Sequence, residues 1–362
     1  MRPPFGFAVK EGIDMRLKRA IRDLKPYAPN ETDYLVKLDA NESANYLFPE
    51  GYQFPVGAIN RYPDSASRDL RHKMASVYGV DAEQLIVGNG SSEMLELILK
   101  TYVEPGDVIL SLEPSFVMYQ VYGTIHNAQF KSVPLNADFS VNGEALLAAI
   151  ETHEPTVIVL CSPNNPTGLM IDQSCIDAVL SATEAIVILD EAYIEFARSV
   201  VSRAHDTRHI PHLIVLRTMS KAYGLAGARV GCLIAHPDRV SEMNRVKSPY
   251  NLNTLSQNIA RLALSQTEAF ESYIEGVKAR RDALLARLSK WPLTVWTSEA
   301  NFVFFHSAVL DLSEQLAAHG VLIRSFGGGL KGYYRVTVGS EGELDRFYEA
   351  MKEVFGDAAS TR

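Results

Sequence analysis

An α/β fold, with a mainly parallel central sheet, helices on both faces and a smaller α+β domain, is what this sequence predicts. Three observations carry that expectation. Short, nearly continuous apolar runs alternate with helical patterns through the middle of the chain. Four of those runs end in polar residues, and from about residue 270 the pattern changes character.

In order, QLIVG (84–88), DVILSL (107–112), TVIVLC (156–161), AIVILD (185–190), HLIVLRT (212–218) and RVGCLIA (229–235) read as strands. Apolar residues without strict alternation suit strands buried on both faces. Helices fill the gaps. After Asp64 and Ser65, Leu70, Met74 and Val77 recur at i, i+4 and i+7, which predicts an amphipathic helix. After Ser91 and Ser92, EMLELILKTYV is apolar almost all round and should be buried. NFVFFHS (301–307) and YYRVTVG (333–339) read as strands of the second unit. Ser340 and Glu343 form a capping box, opening a helix with Leu344, Phe347, Tyr348, Met351 and Phe355 on its inner face. The expected division is 1–55 as an arm and part of the small domain, 56–265 as the large domain and 266–362 as the C-terminal small domain.

The chain has 362 residues, 47% of them hydrophobic, too many for one compact core. A net charge of -8 argues against nucleic acid, which needs a basic face. Three cysteines without a CxxC pair suggest a reducing cytoplasm and no structural disulfide. The N-terminus MRPPFGFAVKEG lacks an apolar signal core. The apolar runs fall far short of the ~20 residues a membrane helix needs. Cytoplasmic localisation is expected, with neither nucleic acid nor membrane as a partner.

The polar residues closing four strands are GNGSSE (88–93), SPNNPTG (162–168), DEAY (190–193) and MSKAYG (219–224). In a parallel sheet these carboxyl ends share one edge, where open α/β folds bind ligands. GNGSSE reads either as an ordinary helix cap or as a backbone cradle for phosphate. SPNNPTG is a turn that offers Asn165 as a fixed donor. Asp190 ends an apolar strand, so it must be paired, with a structural arginine or a ligand cation. Lys221 alone reads as a solvated lysine, but in TMSKAYGLAGARVG (218–231) it sits among small residues near Arg229. A buried lysine beside cations loses basicity and becomes a nucleophile. A phosphate for the glycine–serine loop and Arg229, a cationic ring nitrogen for Asp190 and a carbonyl for Lys221 are combined in pyridoxal 5′-phosphate. His205, His209 and His212 have ligand-like spacing, but their polar loop lacks cysteines, and no metal is expected.

SPNNPTG, LDEAYIEF (189–196) and TMSKAYGLAGARVG, in that order, resemble the fold-type I pyridoxal-phosphate aminotransferases. The likeness runs from LKPYAPN (24–30) through YYRVTVG and its following helix. KPY, NRYPD (60–64), LDEAYIEF and GYYRVTVG are similar to the histidinol-phosphate aminotransferase group within that class II subfamily. The resemblance implies that residues 56–265 bind the cofactor and that Lys221 carries it and shuttles the proton. It also implies that Asp190 keeps the pyridine nitrogen protonated and that Asn165 and Tyr193 bond the phenolic oxygen. Gly90, Ser91, Ser92, Ser220 and Arg229 would hold the phosphate, and Phe116 would stack on the ring. Tyr62 would reach the phosphate of a neighbouring subunit, so a homodimer is implied. Arg335 would grip the substrate anion, with Tyr27 and Arg346 as further contacts to its phosphate. The implied reaction is transamination of L-histidinol phosphate with 2-oxoglutarate, giving imidazole acetol phosphate and L-glutamate in histidine biosynthesis. Rivals are an aromatic amino-acid aminotransferase and a threonine-phosphate decarboxylase. A non-catalytic cofactor-binding domain is opposed by the full set of lysine, aspartate, asparagine and arginine. Two stretches depart from the family pattern: ANESANYLFP (40–49), with alanine where proline is common, and the glycine-rich SFGGGLKGYY (325–334). Arg324 either lines the site or is solvated.

Overall fold

The computed structural model describes residues 18–22, 24, 32–48, 51–54, 59–198 and 202–356. A short strand, β1 (Val36–Lys37), precedes α1 (Arg68–Tyr78), β2 (Leu85–Gly88) and α2 (Gly90–Tyr102). Then come β3 (Val108–Glu113), α3 (Met118–Ile125), β4 (Gln129–Pro134), α4 (Gly143–His153), β5 (Val157–Cys161), α5 (Gln173–Ala182) and β6 (Ile186–Asp190). After β7 (Leu213–Thr218) and β8 (Gly231–Ala235), helices α6 (Pro237–Asn244), α7 (Thr254–Ala263) and the long α8 (Thr267–Leu288) lead onward. The C-terminal part holds β9 (Leu293–Val295), β10 (Phe302–Ser307), α9 (Leu312–Ala318), β11 (Val321–Leu322), β12 (Arg324–Ser325), β13 (Tyr333–Thr337) and α10 (Glu341–Phe355).

The central sheet has seven strands in the order β2-β8-β7-β6-β5-β3-β4. β8 alone runs antiparallel to its neighbours, so the other six point the same way. Successive residues of each strand face opposite sides, and the core divides accordingly. Ile158, Leu160, Val187, Leu189 and Val215 pack on one face; Val157, Val159, Ile186, Ile188 and Leu216 pack on the other. This two-sided burial produces the continuous apolar runs of the sequence.

Around the central sheet, two details differ from the sequence reading. β4 was not among the expected strands, because as an edge strand it is mostly open to solvent and carries Gln129, Lys131 and Ser132 rather than an apolar run. Val77 is exposed, and Ala75 joins Leu70 and Met74 on the buried face of α1.

Among the described residues there are two smaller sheets: an antiparallel sheet ordered β12-β13-β10-β9 and the parallel pair β1-β11. The Ser340–Glu343 capping box forms and opens α10, whose Leu344, Phe347 and Met351 are buried while Tyr348 and Phe355 are partly so. Residues 38–41 thread between these parts: Leu38 N–H donates to the Leu322 carbonyl and the Leu38 carbonyl accepts from Thr337 N–H. Among the described residues, no helix is long and apolar enough to cross a membrane.

Candidate active site

The carboxyl ends of β2, β5, β6 and β7 lie along one edge, as the parallel sheet requires. β8 starts there, because Gly231 pairs with both Gly88 and Thr218. Its reversed direction returns Arg229 to the edge holding GNGSSE.

Lys221 follows β7 by three residues, and its side chain is half-buried. The ammonium donates to the Ala40 carbonyl at 2.8 Å and lies 5.9 Å from the Tyr193 ring centroid. Burial first, and then the charge of Arg335, lowers it from 10.5 to about 7, with Glu42 opposing. The lysine is thus poised to exchange a proton near neutrality.

Asp190 ends β6 with 7% of its surface exposed. One carboxylate oxygen accepts from the Tyr119 hydroxyl at 2.8 Å and the other from Ala192 N–H at 3.1 Å. Among the described residues it forms no ion pair, so the structural arginine envisaged as its partner is absent. Burial raises the carboxyl above its ordinary value, against those two bonds. A carboxylate held this way is suited to a cationic group supplied from outside.

At the start of α2, Gly90 has φ +79°, and a Cβ there would come within 2.6 Å of the Arg229 guanidinium. A Cβ on Gly231 would meet the Gly90–Ser91 backbone. These two glycines let the helix start, β8 and Arg229 converge. Arg229 donates to Ser220 Oγ and the Ala226 carbonyl, each at 3.3 Å. Ser91 and Ser92 lie in the first turn of α2, where unsatisfied N–H groups attract anions.

Arg335, on β13, is buried beside these groups. Its guanidinium donates to Asn165 Oδ1 at 2.6 Å and to the Asp39 carbonyl at 2.7 Å, and lies 5.2 Å from the Phe302 ring centroid. Tyr193, after β6, packs edge-on against Phe302. Its hydroxyl accepts from Asn41 Nδ2 at 3.2 Å, and burial pushes the phenol up to about 12, against Arg335 and Asn41. Residues 39–41 therefore touch Arg335, Lys221 and Tyr193 together. Beneath them Arg217 on β7 reaches Glu195 at 2.8 Å and Glu191 at 3.6 Å. That buried pairing ties the DEAY turn to the strand leading to Lys221.

Phe116 is partly buried and packs edge-on against Tyr119 at 5.6 Å between centroids. The structure thus gathers Lys221, Asp190, Tyr193, Asn165, Phe116, Gly90, Ser91, Ser92, Ser220, Arg229 and Arg335 along one edge of the sheet and its border with β13. Tyr62 stands apart, 81% exposed and stacked on Tyr250 at 4.5 Å. Arg346 lies on the exposed face of α10, outside the contacts that knit the cluster. Tyr27 lies outside the described residues. Arg324 is partly buried with its guanidinium 6.0 Å from the Phe326 ring centroid. His212 meets the Leu180 carbonyl and His205 packs near Gly79; among the described residues no group of side chains could hold a metal.

Sequence reasoning gave no role to Asn41, Ala40 or Tyr119. Asn41 was within reach as part of the DANES stretch. Tyr119 had no local signal, since its contact depends on how α3 packs against β6.

These observations fit pyridoxal 5′-phosphate: a buried carboxylate without a cation, a glycine-lined cup under an arginine, and an amine titrating near neutrality. The comparisons agree. The family described as aminotransferase class I and II matches residues 49–351. The chain is 37% identical over 353 residues to histidinol-phosphate aminotransferase of Caldanaerobacter subterraneus subsp. tengcongensis, spanning 94% of this chain and 99% of that one. It is also 37% identical to that of Thermobifida fusca, spanning 98% of each. The crystal structure of histidinol-phosphate aminotransferase from Sinorhizobium meliloti, in complex with pyridoxal-5′-phosphate, superposes with a TM-score of 0.84 at 23% identity, covering 94% of this chain and 97% of that one. The chain belongs to the class I and II aminotransferases, enzymes that depend on pyridoxal phosphate.

Proposed function

We propose that this aminotransferase moves the amino group of L-histidinol phosphate to 2-oxoglutarate, yielding imidazole acetol phosphate and L-glutamate in histidine biosynthesis. The observation that carries the reading is Arg335, fixed by Asn165 and the Asp39 carbonyl and close enough to Lys221 to depress its basicity. An anion fork beside an amine that is partly neutral at pH 7 suits substrates that pair an amino group with a negative charge. The name shared by the curated relatives supports the phosphate ester as that substrate.

Pyridoxal phosphate, when bound, supplies an electron-poor ring that stabilises negative charge on the carbon bearing the substrate amine. Lys221 would hold at Nζ the proton that leaves that carbon and give it back as the amino group is moved. Asp190 would accept a hydrogen bond from the ring nitrogen, and Asn165 and Tyr193 would hold the phenolic oxygen. Gly90, Ser91, Ser92, Ser220 and Arg229 would hold the phosphate, and Phe116 would cover the ring. Arg335 would donate to the substrate phosphate in one half-reaction and to the glutamate carboxylate in the other. Arg346 is left outside this assignment.

The division at residues 1–55, 56–265 and 266–362 is proposed with it, as is a cytoplasmic setting. Exposure of Tyr62 and Tyr250 on one surface supports a homodimer in which Tyr62 reaches the partner's phosphate cup. Mixing Lys221→Ala and Tyr62→Ala subunits should then restore activity, since one site of each mixed dimer is intact. Mixtures no more active than either variant would remove Tyr62 from the site.

The function is tested by supplying the cofactor-loaded protein with 2-oxoglutarate and, separately, L-histidinol phosphate, L-phenylalanine or O-phospho-L-threonine. Glutamate should form fastest with histidinol phosphate. Fast turnover of phenylalanine alone would move the substrate. Release of CO2 from phosphothreonine without 2-oxoglutarate would replace transamination by decarboxylation.

A further inference from the structure

We infer that Tyr119 is a positioning residue for the reaction, holding the Asp190 carboxylate in place for the cofactor's ring nitrogen. The inference rests on the cofactor reading above and extends it to a residue that none of the motifs contains.

The strand pleat explains the geometry. Ile186, Ile188 and Asp190 alternate along β6 and face the same side of the sheet, as do Val157, Val159 and Cys161 on β5, and Cys161 pairs with Asp190 in register. α3 lies over that side and inserts Tyr119, which is 1% exposed. Its hydroxyl is 2.8 Å from Asp190 Oδ2, while Ala192 N–H occupies Oδ1. Each oxygen keeps a further lone pair for an incoming N–H.

The proton on this bond belongs to tyrosine. Burial and the nearby Asp190 charge raise the Tyr119 phenol well above its ordinary value, so it donates. The other titratable groups around the carboxylate are Cys161 from β5 and Tyr193 from the following turn, both raised by burial; β7 presents Leu216 opposite. Among these groups, Asp190 is the one carboxyl, and burial raises it while the Tyr119 and Ala192 bonds lower it. Removing the Tyr119 hydroxyl takes one of two bonds from a buried carboxylate and favours its neutral form. A neutral Asp190 no longer complements a protonated ring nitrogen. Because Tyr119 also packs against Phe116, one side chain sets both the ring's edge partner and its stacking partner.

The test measures the dissociation constant for pyridoxal 5′-phosphate across pH in wild type, Tyr119→Phe, Asp190→Asn and the double variant, with the thermal midpoint of each cofactor-free protein. Tyr119→Phe should weaken binding about tenfold at neutral pH and move the acid limb of binding to higher pH. In the Asp190→Asn background the same change should add little, because the residue acts through Asp190. Binding unchanged in Tyr119→Phe, an equal loss in both backgrounds, or a lowered midpoint with an unmoved acid limb would overturn the inference. A wild type that does not bind the cofactor would overturn the functional reading as well.

Discussion

Replacing Lys221 with methionine should make the cofactor-free protein more stable at neutral pH, and the gain should shrink as pH rises. The Lys221 ammonium falls from 10.5 to about 7, through burial first and Arg335 second. Between those values the unfolded chain holds a proton that the folded chain has released, so stability rises with pH. Below about 7 both states are protonated, and above 10.5 both are neutral, so Lys221 adds no slope at either end. Each pH unit inside the interval is worth about 1.36 kcal/mol, or roughly 5 kcal/mol across it. Relaxation and water in a half-buried cleft reduce this to about 2–3 kcal/mol. Methionine keeps the apolar stem but loses the bond to the Ala40 carbonyl, worth about 1 kcal/mol. The net gain at pH 7 is then about 1–2 kcal/mol, or a rise of roughly 2–4 °C in thermal midpoint. The assay compares midpoints of the two cofactor-free proteins at the bottom and near the top of the interval, so groups common to both cancel. Removing Arg335 should move the start of the interval upward. A wild-type-to-variant difference independent of pH would refute the reasoning.

Three other outcomes follow from the same geometry. Asp190→Asn should still bind cofactor but lose activity by at least about a hundredfold; steady-state rates within tenfold of wild type would contradict its role. Gly90→Ala imposes a left-handed backbone on a residue with a Cβ and pushes against Arg229. It should weaken pyridoxal phosphate binding about tenfold or more, as titration of the cofactor-free protein would reveal. Arg335→Lys keeps the charge but loses the fork held by Asn165 and Asp39. It should lower kcat/KM for amine donor and acceptor alike by about a hundredfold, and a loss confined to one half-reaction would show that the other substrate's anion is held elsewhere.

Local chemistry made much of this protein legible. The continuous apolar runs declared β2, β3, β5, β6, β7 and β8, because a strand buried on both faces tolerates little else. The capping box announced α10 through contacts three residues apart. Asp190 stood out because a charged group at the end of an apolar strand requires a partner, and Lys221 because it sits among small residues near Arg229. β4 escaped notice because an open edge strand has no burial to impose on its sequence.

Tertiary structure alone decided how these pieces meet. The reversal of β8 brings Arg229 beside Gly90, a proximity that depends on strand order and therefore on contacts between distant segments. Residues 39–41 link Lys221, Tyr193 and Arg335 only because the N-terminal segment threads between β11 and β13. Whether Asp190 met an arginine or stood without a cation could not be read from its neighbours in the chain. That answer lay in the packing of α3, which places the Tyr119 hydroxyl against the carboxylate. Periodicity records which side chains are buried; partners across a core are chosen by topology, which periodicity does not encode.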